Sequence, residues 1–192
     1  FSIGSEASGD SVNAVFQDRE GTVWLGTPGG LFRVDSSGER TIVRAVSLGA
    51  GDRHSRPPHI AAFAEDADGQ LWAGSSAGLL RRRADGRWVR YPMTNSPAQR
   101  NAVHALMVDA RGRLWVGGED AVLVFRPGAE PTGDEDFSLA PAASVDGDEC
   151  LLPEAAGQAR RCTPSRLIET GVEAMLQSSD GRVWLGGRGG LW

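Results

Sequence analysis

Little in this chain advertises chemistry. It holds three histidines and two cysteines, and no apolar run approaches the roughly 20 residues that cross a bilayer as a helix. No G-x-S-x-G elbow, Walker loop or paired-carboxylate arrangement occurs, which leaves the commonest hydrolase and nucleotide-binding classes without a motif. A basic excess is missing too. Twenty Lys and Arg stand against 25 Asp and Glu, for a net charge of −5, so no nucleic-acid partner is expected. No cofactor and no metal is expected either. The chain opens on Phe1 without a basic-then-apolar leader and reads as an excerpt of a longer protein.

What the chain has in quantity is glycine, 26 of its 192 residues, and a phrase that returns. "QDREGTVWLGTPGGLFRVD" is followed by "EDADGQLWAGSSAGLLRRR", "VDARGRLWVGGEDAVLVFR" and "QSSDGRVWLGGRGGLW". Its tryptophans are Trp24, Trp72, Trp115 and Trp184. The first two intervals between them lie near the 40–50 residue period of propeller blades, and the third is longer by about 20–25 residues. Six residues before each Trp stands Asp18, Asp66, Asp109 or, in the last copy, Ser178. Three residues before it stands Gly21, Gly69, Gly112 or Gly181. Two residues after it stands Gly26, Gly74, Gly117 or Gly186.

Asp-x-x-Gly is a turn signature: the carboxylate caps turn amides and the glycine accepts positive φ. Upstream lie "SVNAVFQ", "HIAAFAE", "AVHALMV" and "GVEAMLQ", read as first strands; "TVWLGT" and its counterparts are second strands. A glycine-containing turn leads to third strands such as "GLFRVD". Fourth strands follow weakly as "RTIVRAVSL", "GRWVRYPM" and "DFSLAPAA". Four short antiparallel strands per unit make a blade, so the predicted class is an all-β propeller. In the second strand Val23 and Leu25 point one way and Trp24 the other. A strand apolar on both sides fits a sheet stacked between two neighbours. Burying roughly 150–250 Å² of indole at about 25 cal/mol per Å² gives on the order of 4–6 kcal/mol per Trp as an upper limit. The tryptophans are packing residues, and Gly26 with its equivalents is expected to leave room beside the ring.

On these residues the chain resembles the two-component regulator propeller repeat, whose consensus runs roughly N-x-V-x-x-x-x-x-D-x-x-G-x-L-W-x-G-T-x-x-G-L. The likeness covers Ser11–Asp35, Pro58–Arg83, Asn101–Arg126 and Gly171–Trp192. It weakens at Glu119–Val122, where the final Gly-Leu is lost, and at Ser178. The resemblance implies a periplasmic or other extracytoplasmic sensor, anchored in the membrane by its parent protein. Such a propeller usually has seven blades, and a β-sandwich, a membrane helix and a histidine kinase or diguanylate cyclase commonly follow it. Implied partners are a small-molecule or glycan ligand, the adjacent domains of the parent chain, and a second subunit through that parent.

The expected organisation is a partial propeller over 1–192, about four blades of a larger ring. Residues 1–10 are the outer strand of a preceding blade, and 11–49, 58–93 and 101–143 are blades. An acidic insertion occupies 128–164, and a further blade starts at 171–192. In an alternative arrangement, Phe1–Ile3 closes a four-bladed ring as the fourth strand of the last blade. The insertion carries Cys150 and Cys162. A local disulfide between them would be worth roughly 3 kcal/mol by loop entropy and would suit an oxidising compartment; two free thiols are the alternative.

The loops before the first strands and between second and third strands form one end of the blades. Candidate ligand-binding residues there are Arg56, His59, Arg100, His104, Arg166 and Glu173, the arginines favouring an anionic ligand. No catalytic residue is assigned. A propeller lyase or hydrolase would need polar groups clustered at the central channel, and a protein-binding scaffold would need none; both remain alternatives to a sensor. Other motifs read as structure. Asp66-Ala67-Asp68-Gly69 lacks the rest of a calcium loop. The blades of a quinone-cofactor propeller space Asp and Trp differently. Arg81-Arg82-Arg83 alternates across a strand, so it forms a partly snorkelling, solvated set and not one patch.

Overall fold

Each repeated phrase folds around its turn. The structure, a computed structural model, describes residues 11–37, 40–48, 57–91, 102–119, 122–125, 159–161, 171–188 and 190–191. In the first copy the Gly21 N–H donates to the Asp18 carbonyl at 2.9 Å, and Gly21 takes φ of 84°, a conformation open to glycine without steric cost. Asp18 Oδ1 accepts the Thr22 N–H at 2.8 Å. The second carboxylate oxygen points elsewhere, and Oδ2 accepts the Trp24 indole N–H at 2.8 Å. Asp66 repeats this with Gln70 N and Trp72 Nε1, both at 2.9 Å. Asp109 does so with Arg113 N and Trp115 Nε1, again both at 2.9 Å. In the fourth copy Ser178 Oγ accepts the Trp184 indole N–H at 3.1 Å, and Asp180 accepts the Arg182 amide at 3.2 Å. Two side chains there share what one aspartate does elsewhere, and the turn keeps its shape.

Fifteen strands are described. β1 (Ala14–Gln17), β2 (Val23–Thr27), β3 (Gly30–Ser37) and β4 (Arg40–Ala45) form the first sheet in that order. β5 (Ile60–Glu65), β6 (Leu71–Ser75), β7 (Gly78–Arg82) and β8 (Trp88–Tyr91) form the second. β9 (Val103–Val108), β10 (Leu114–Gly118), β11 (Val122–Phe125) and β12 (Ala159–Arg161) form the third, and β13 (Ala174–Gln177), β14 (Val183–Gly187) and β15 (Gly190–Leu191) the fourth. Every pairing is antiparallel. The fold is all-β, four blades of a β-propeller. One strand differs from expectation. The partner on the open edge of β11 is Ala159–Arg161, inside the segment read as an insertion, so the excursion lies between the third and fourth strands of this blade. "DFSLAPAA", Phe1–Ile3, Cys150 and Cys162 fall outside the described residues.

The blades stack through their first strands, β1 beside β5, β5 beside β9 and β9 beside β13. Three apolar cores fill the gaps between them. Trp24 and Leu31 of the first blade meet Ile60, Leu71, Ala73 and Leu80 of the second. Trp72 and Leu79 meet Val103, Leu114 and Val116, and Trp115 and Val122 meet Val172 and Leu185. Each indole therefore faces the next blade, while its two strand neighbours face the previous one, as alternation requires. The arginine run follows the same rule. Arg81 stacks over Trp72 at 5.2 Å and Arg82 over Trp24 at 5.6 Å, on opposite sides of their sheet. Arg81 is only 4 % exposed, which corrects its reading as solvated: the guanidinium is a lid on the indole.

The glycine two residues after each Trp also has a different neighbour from the one expected. A Cβ on Gly26 would lie 2.9 Å from both Ile60 Cγ2 and the Ile60 carbonyl, and one on Gly74 would lie 2.7 Å from Val103 Cγ1. A Cβ on Gly117 would meet Val172 at 2.9 Å. The glycine is a socket for a branched aliphatic side chain of the following blade, and the ring beside it is not the constraint. The knob is aimed by a bulge. Pairing in β5 skips Ala61 and pairing in β9 skips His104, so Ile60 and Val103 turn toward the preceding blade instead of following the strand's alternation.

Two tests follow from this packing. Gly74→Ala should destabilise the fold by about 1–3 kcal/mol, as overpacking does. Gly186→Ala, whose Cβ would meet nothing closer than 3.7 Å, should stay within about 0.5 kcal/mol of the parent; urea unfolding of both variants decides. The second concerns Asp109, whose carboxylate also accepts Arg113 Nε at 2.6 Å. Burial works to raise its pKa, but hydrogen bonds from Trp115 and Arg113 and the guanidinium charge outweigh burial and hold it below the ordinary value. Because folding favours the ionised form, the stabilisation is complete above the ordinary carboxylate pKa of about 3.9 and is lost as pH falls through the lowered folded value. Asp109→Ala should cost about 3–5 kcal/mol at pH 7 by stranding the buried Arg113. That penalty should shrink in denaturation series run from pH 7 toward pH 3.

Candidate functional site

The bulge that aims each knob also fixes what stands beside it. The bulge position is occupied by Ala61 in the second blade and His104 in the third. In the first and fourth blades the same repeat position is Asn13 and Glu173, whose N–H groups donate to Gly26 and Gly186 at 2.8 Å. One residue per blade is thus presented at the entry to the innermost strand, at the end where second and third strands turn. Those turns are held from within. Thr27 Oγ1 bonds to the Gly30 carbonyl at 3.1 Å, and Ser75 Oγ to the Gly78 carbonyl at 2.7 Å. Gly30 and Gly78 adopt φ of 123° and 122°.

Polar pairs line this rim. Asn13 Nδ2 lies 2.7 Å from His59 Nε2 and also reaches the Ile60 carbonyl at 3.5 Å. The His59 N–H donates to Ser76 Oγ at 3.1 Å, and the Ser76 N–H returns to the His59 carbonyl at 2.9 Å. His104 Nε2 faces Glu119 Oε1 at 3.7 Å, and Arg188 Nε donates to Glu173 Oε1 at 3.0 Å. His59, Glu173 and Arg188 are exposed, and His104 and Glu119 are half-buried.

Of the residues singled out from sequence, His59, His104 and Glu173 stand on this rim. Each engages its own partner; among the described residues no hydrogen bond or ion pair joins one of the three to another. Arg56, Arg100 and Arg166 fall outside the described residues. Asn13, Ser76, Glu119 and Arg188 were missed. The last three share one register, four residues after their Trp, and the first occupies the bulge position. Aligning those two columns of the repeat would have paired Glu119 with His104 and Arg188 with Glu173.

Among the described residues the rim holds no paired nucleophile and base. An activated serine needs a base at its hydroxyl, yet Ser76 Oγ faces the His59 backbone, and the His59 imidazole faces an amide. No group of three or more metal-ligating side chains occurs among the described residues. What the rim offers is alternating donors and acceptors at low cost. Exposed ion pairs contribute only about 0–1 kcal/mol, so they can exchange partners for a ligand's hydroxyl or acidic groups. Because the Asn13 amide nitrogen can only donate, His59 Nε2 must accept, and the neutral ring carries its proton on Nδ1.

The family model described as "Two component regulator propeller" matches residues 6–29 and 99–120. The extracellular domain of a putative hybrid two-component system from B. thetaiotaomicron is 16 % identical with a TM-score of 0.61; the match covers 91 % of this chain and 20 % of that one. A second extracellular domain from the same organism, of a putative one-component system, gives 14 % identity and a TM-score of 0.59 over 96 % of this chain and 21 % of that one. A virginiamycin B lyase from Staphylococcus aureus gives 12 % identity and a TM-score of 0.57 over 94 % and 50 %. These likenesses carry the fold. The chain spans about a fifth of the length of the two extracellular domains. No curated protein matches it in sequence. Among the described residues no helix is long and apolar enough to cross a membrane. The chain is a propeller segment, and two of its four repeat copies match the two-component regulator propeller family.

The His59 tautomer is directly observable. Long-range proton–nitrogen spectra at pH 8 should find Nδ1 protonated and Nε2 bare, and Asn13→Ala should remove that preference.

Proposed function

We propose that this chain is the non-catalytic, ligand-binding part of a sensor propeller, within the extracytoplasmic input module of a bacterial two-component or related transmembrane signalling protein. The observation that carries the reading is the rim: the bulge positions set Asn13, His104 and Glu173 at one end of the stack, each beside a polar partner. The repeat and the extracellular relatives support the signalling context. A small polar ligand or a glycan suits such a surface, since hydroxyl groups can replace weak exposed ion pairs one for one. Output follows when the ligand binds one arrangement of the neighbouring parts better than another. A kinase or cyclase in the parent protein would receive that shift.

A lyase reading is the second candidate, favoured by the fold likeness to virginiamycin B lyase. One experiment separates the two. Thermal unfolding is followed in the presence of a panel of neutral and acidic oligosaccharides and of quinupristin, with mass spectrometry on the mixtures. A sensor rim should show stabilisation by a saccharide, about 2.7 kcal/mol at a hundredfold excess over Kd, with no product formed. His104→Ala and Glu173→Ala should abolish that shift and leave the unliganded midpoint unchanged. Turnover would establish the lyase instead. Silence from every small molecule, together with capture of a protein partner, would establish a scaffold.

A further inference from the structure

The guanidinium of Arg81 sits inside the stack, on the face of the second blade that meets the third. It shares that face with Trp72, its partner across the ladder, and with Leu79 two residues before it. Its exposure is 4 %, and it covers the Trp72 ring at 5.2 Å. Nε and Nη2 are both buried, and among the described residues neither has a hydrogen-bond partner. A buried lysine can shed its charge, but an arginine keeps its proton. A buried ion without a partner costs more than one indole face returns. An orphaned group of this kind calls for an occupant.

The repeat indicates the chemistry of that occupant. Arg81 stands opposite Trp72 as Arg33 stands opposite Trp24. In the first blade Arg33 turns the same two nitrogens on Asp35, two residues further along. Nε lies 2.8 Å from Oδ1, and Nη2 donates to Oδ2 at 3.2 Å. This is the two-point grip that arginine makes on a carboxylate. In the second blade the residue two further along is Arg83. The acceptor has been exchanged for another cation, and the grip of Arg81 is left open. The third blade carries Val124 opposite Trp115 and needs no such partner.

We infer that the Nε–Nη2 edge of Arg81 is a carboxylate-binding site between the second and third blades. The carboxylate is the acid group of a small molecule or an acidic side chain of the protein itself. Either one does for Arg81 what Asp35 does for Arg33. The two sites differ in surroundings. Arg33 and Asp35 are half-buried, where water weakens the pair. Arg81 is almost wholly withdrawn from water, so the same two bonds are stronger there.

Proton–nitrogen spectra of the arginine Nε–H groups of the full chain test this at pH 7, with acetate as the probe replacing chloride at constant ionic strength. Arg33 supplies the reference signal of a carboxylate-bonded Nε–H. Arg81→Lys identifies the Arg81 signal by its loss, and an unchanged Arg33 signal reports that the variant is folded. If the site fills from solution, the Arg81 signal should begin apart from that of Arg33 and move toward it, with saturation, over about 1–300 mM acetate. The thermal midpoint of the parent should rise in step, and Arg81→Lys, which keeps the charge without the fork, should lose that increment. If an acidic side chain of the protein fills the site, the Arg81 signal should lie near that of Arg33 before acetate is added. It should then move as pH falls through the carboxylate range of about 3.9–4.3. Both outcomes support the proposal, and they separate the two sources. An Arg81 signal that responds to neither acetate nor acid overturns it, since the edge then holds water only. A full acetate increment in Arg81→Lys overturns it as well. The rim takes no part in these spectra, so failure of one reading leaves the other standing.

Discussion

A carboxylate with two hands organises each blade. One oxygen of Asp18, Asp66 or Asp109 pins the amide that ends the turn, and the other pins the indole six residues on. That single group joins local and tertiary structure. It closes the hairpin, and it sets the orientation of the largest side chain on the face the next blade must cover. A buried indole N–H without an acceptor would cost about 1–3 kcal/mol, so the bond removes a penalty as well as fixing geometry. The fourth copy shows how much of this is chemistry and how much is residue type. Ser178 meets the indole, Asp180 meets the amide, and the turn survives.

From the oriented indole the rest follows by stacking. With each Trp directed onward, the space beside the second strand is left for the first strand of the following blade, and glycine is the side chain that leaves enough of it. The bulge in that first strand turns Ile60 or Val103 into the gap and, by the same step, leaves one residue unpaired at the entry. One backbone irregularity sets both: the residue left out of the pairing stands on the rim beside the aliphatic knob, which is why the two sit side by side in sequence.

Much of this was legible beforehand. The class of fold, the turns and the burial of Trp24, Trp72 and Trp115 all follow from a phrase repeated in register, because each is local or periodic. Less legible were contacts between copies. Gly26 is called for by Ile60, not by its own Trp, and nothing in either segment names the other. The outer strand of the third blade is a similar case: a three-residue strand beyond a long acidic stretch has too little pattern to stand out. Arg81 looked like a surface residue because it sits in a charged run; the face it occupies, over Trp72, decides otherwise.

The rim divides in the same way. His59, His104 and Glu173 could be picked out as polar residues at strand entries, but their partners could not, since Asn13 and His59 lie 46 residues apart in the chain. By itself the sequence determined the unit: its turns, its strands, and which face of each strand is apolar, since these depend on the order of neighbours along one segment. Only the tertiary structure decided which knob fills which socket, which strand completes the third blade, and which charges meet at the rim. Those depend on how one rigid sheet is set against the next, and that angle is a property of no single segment.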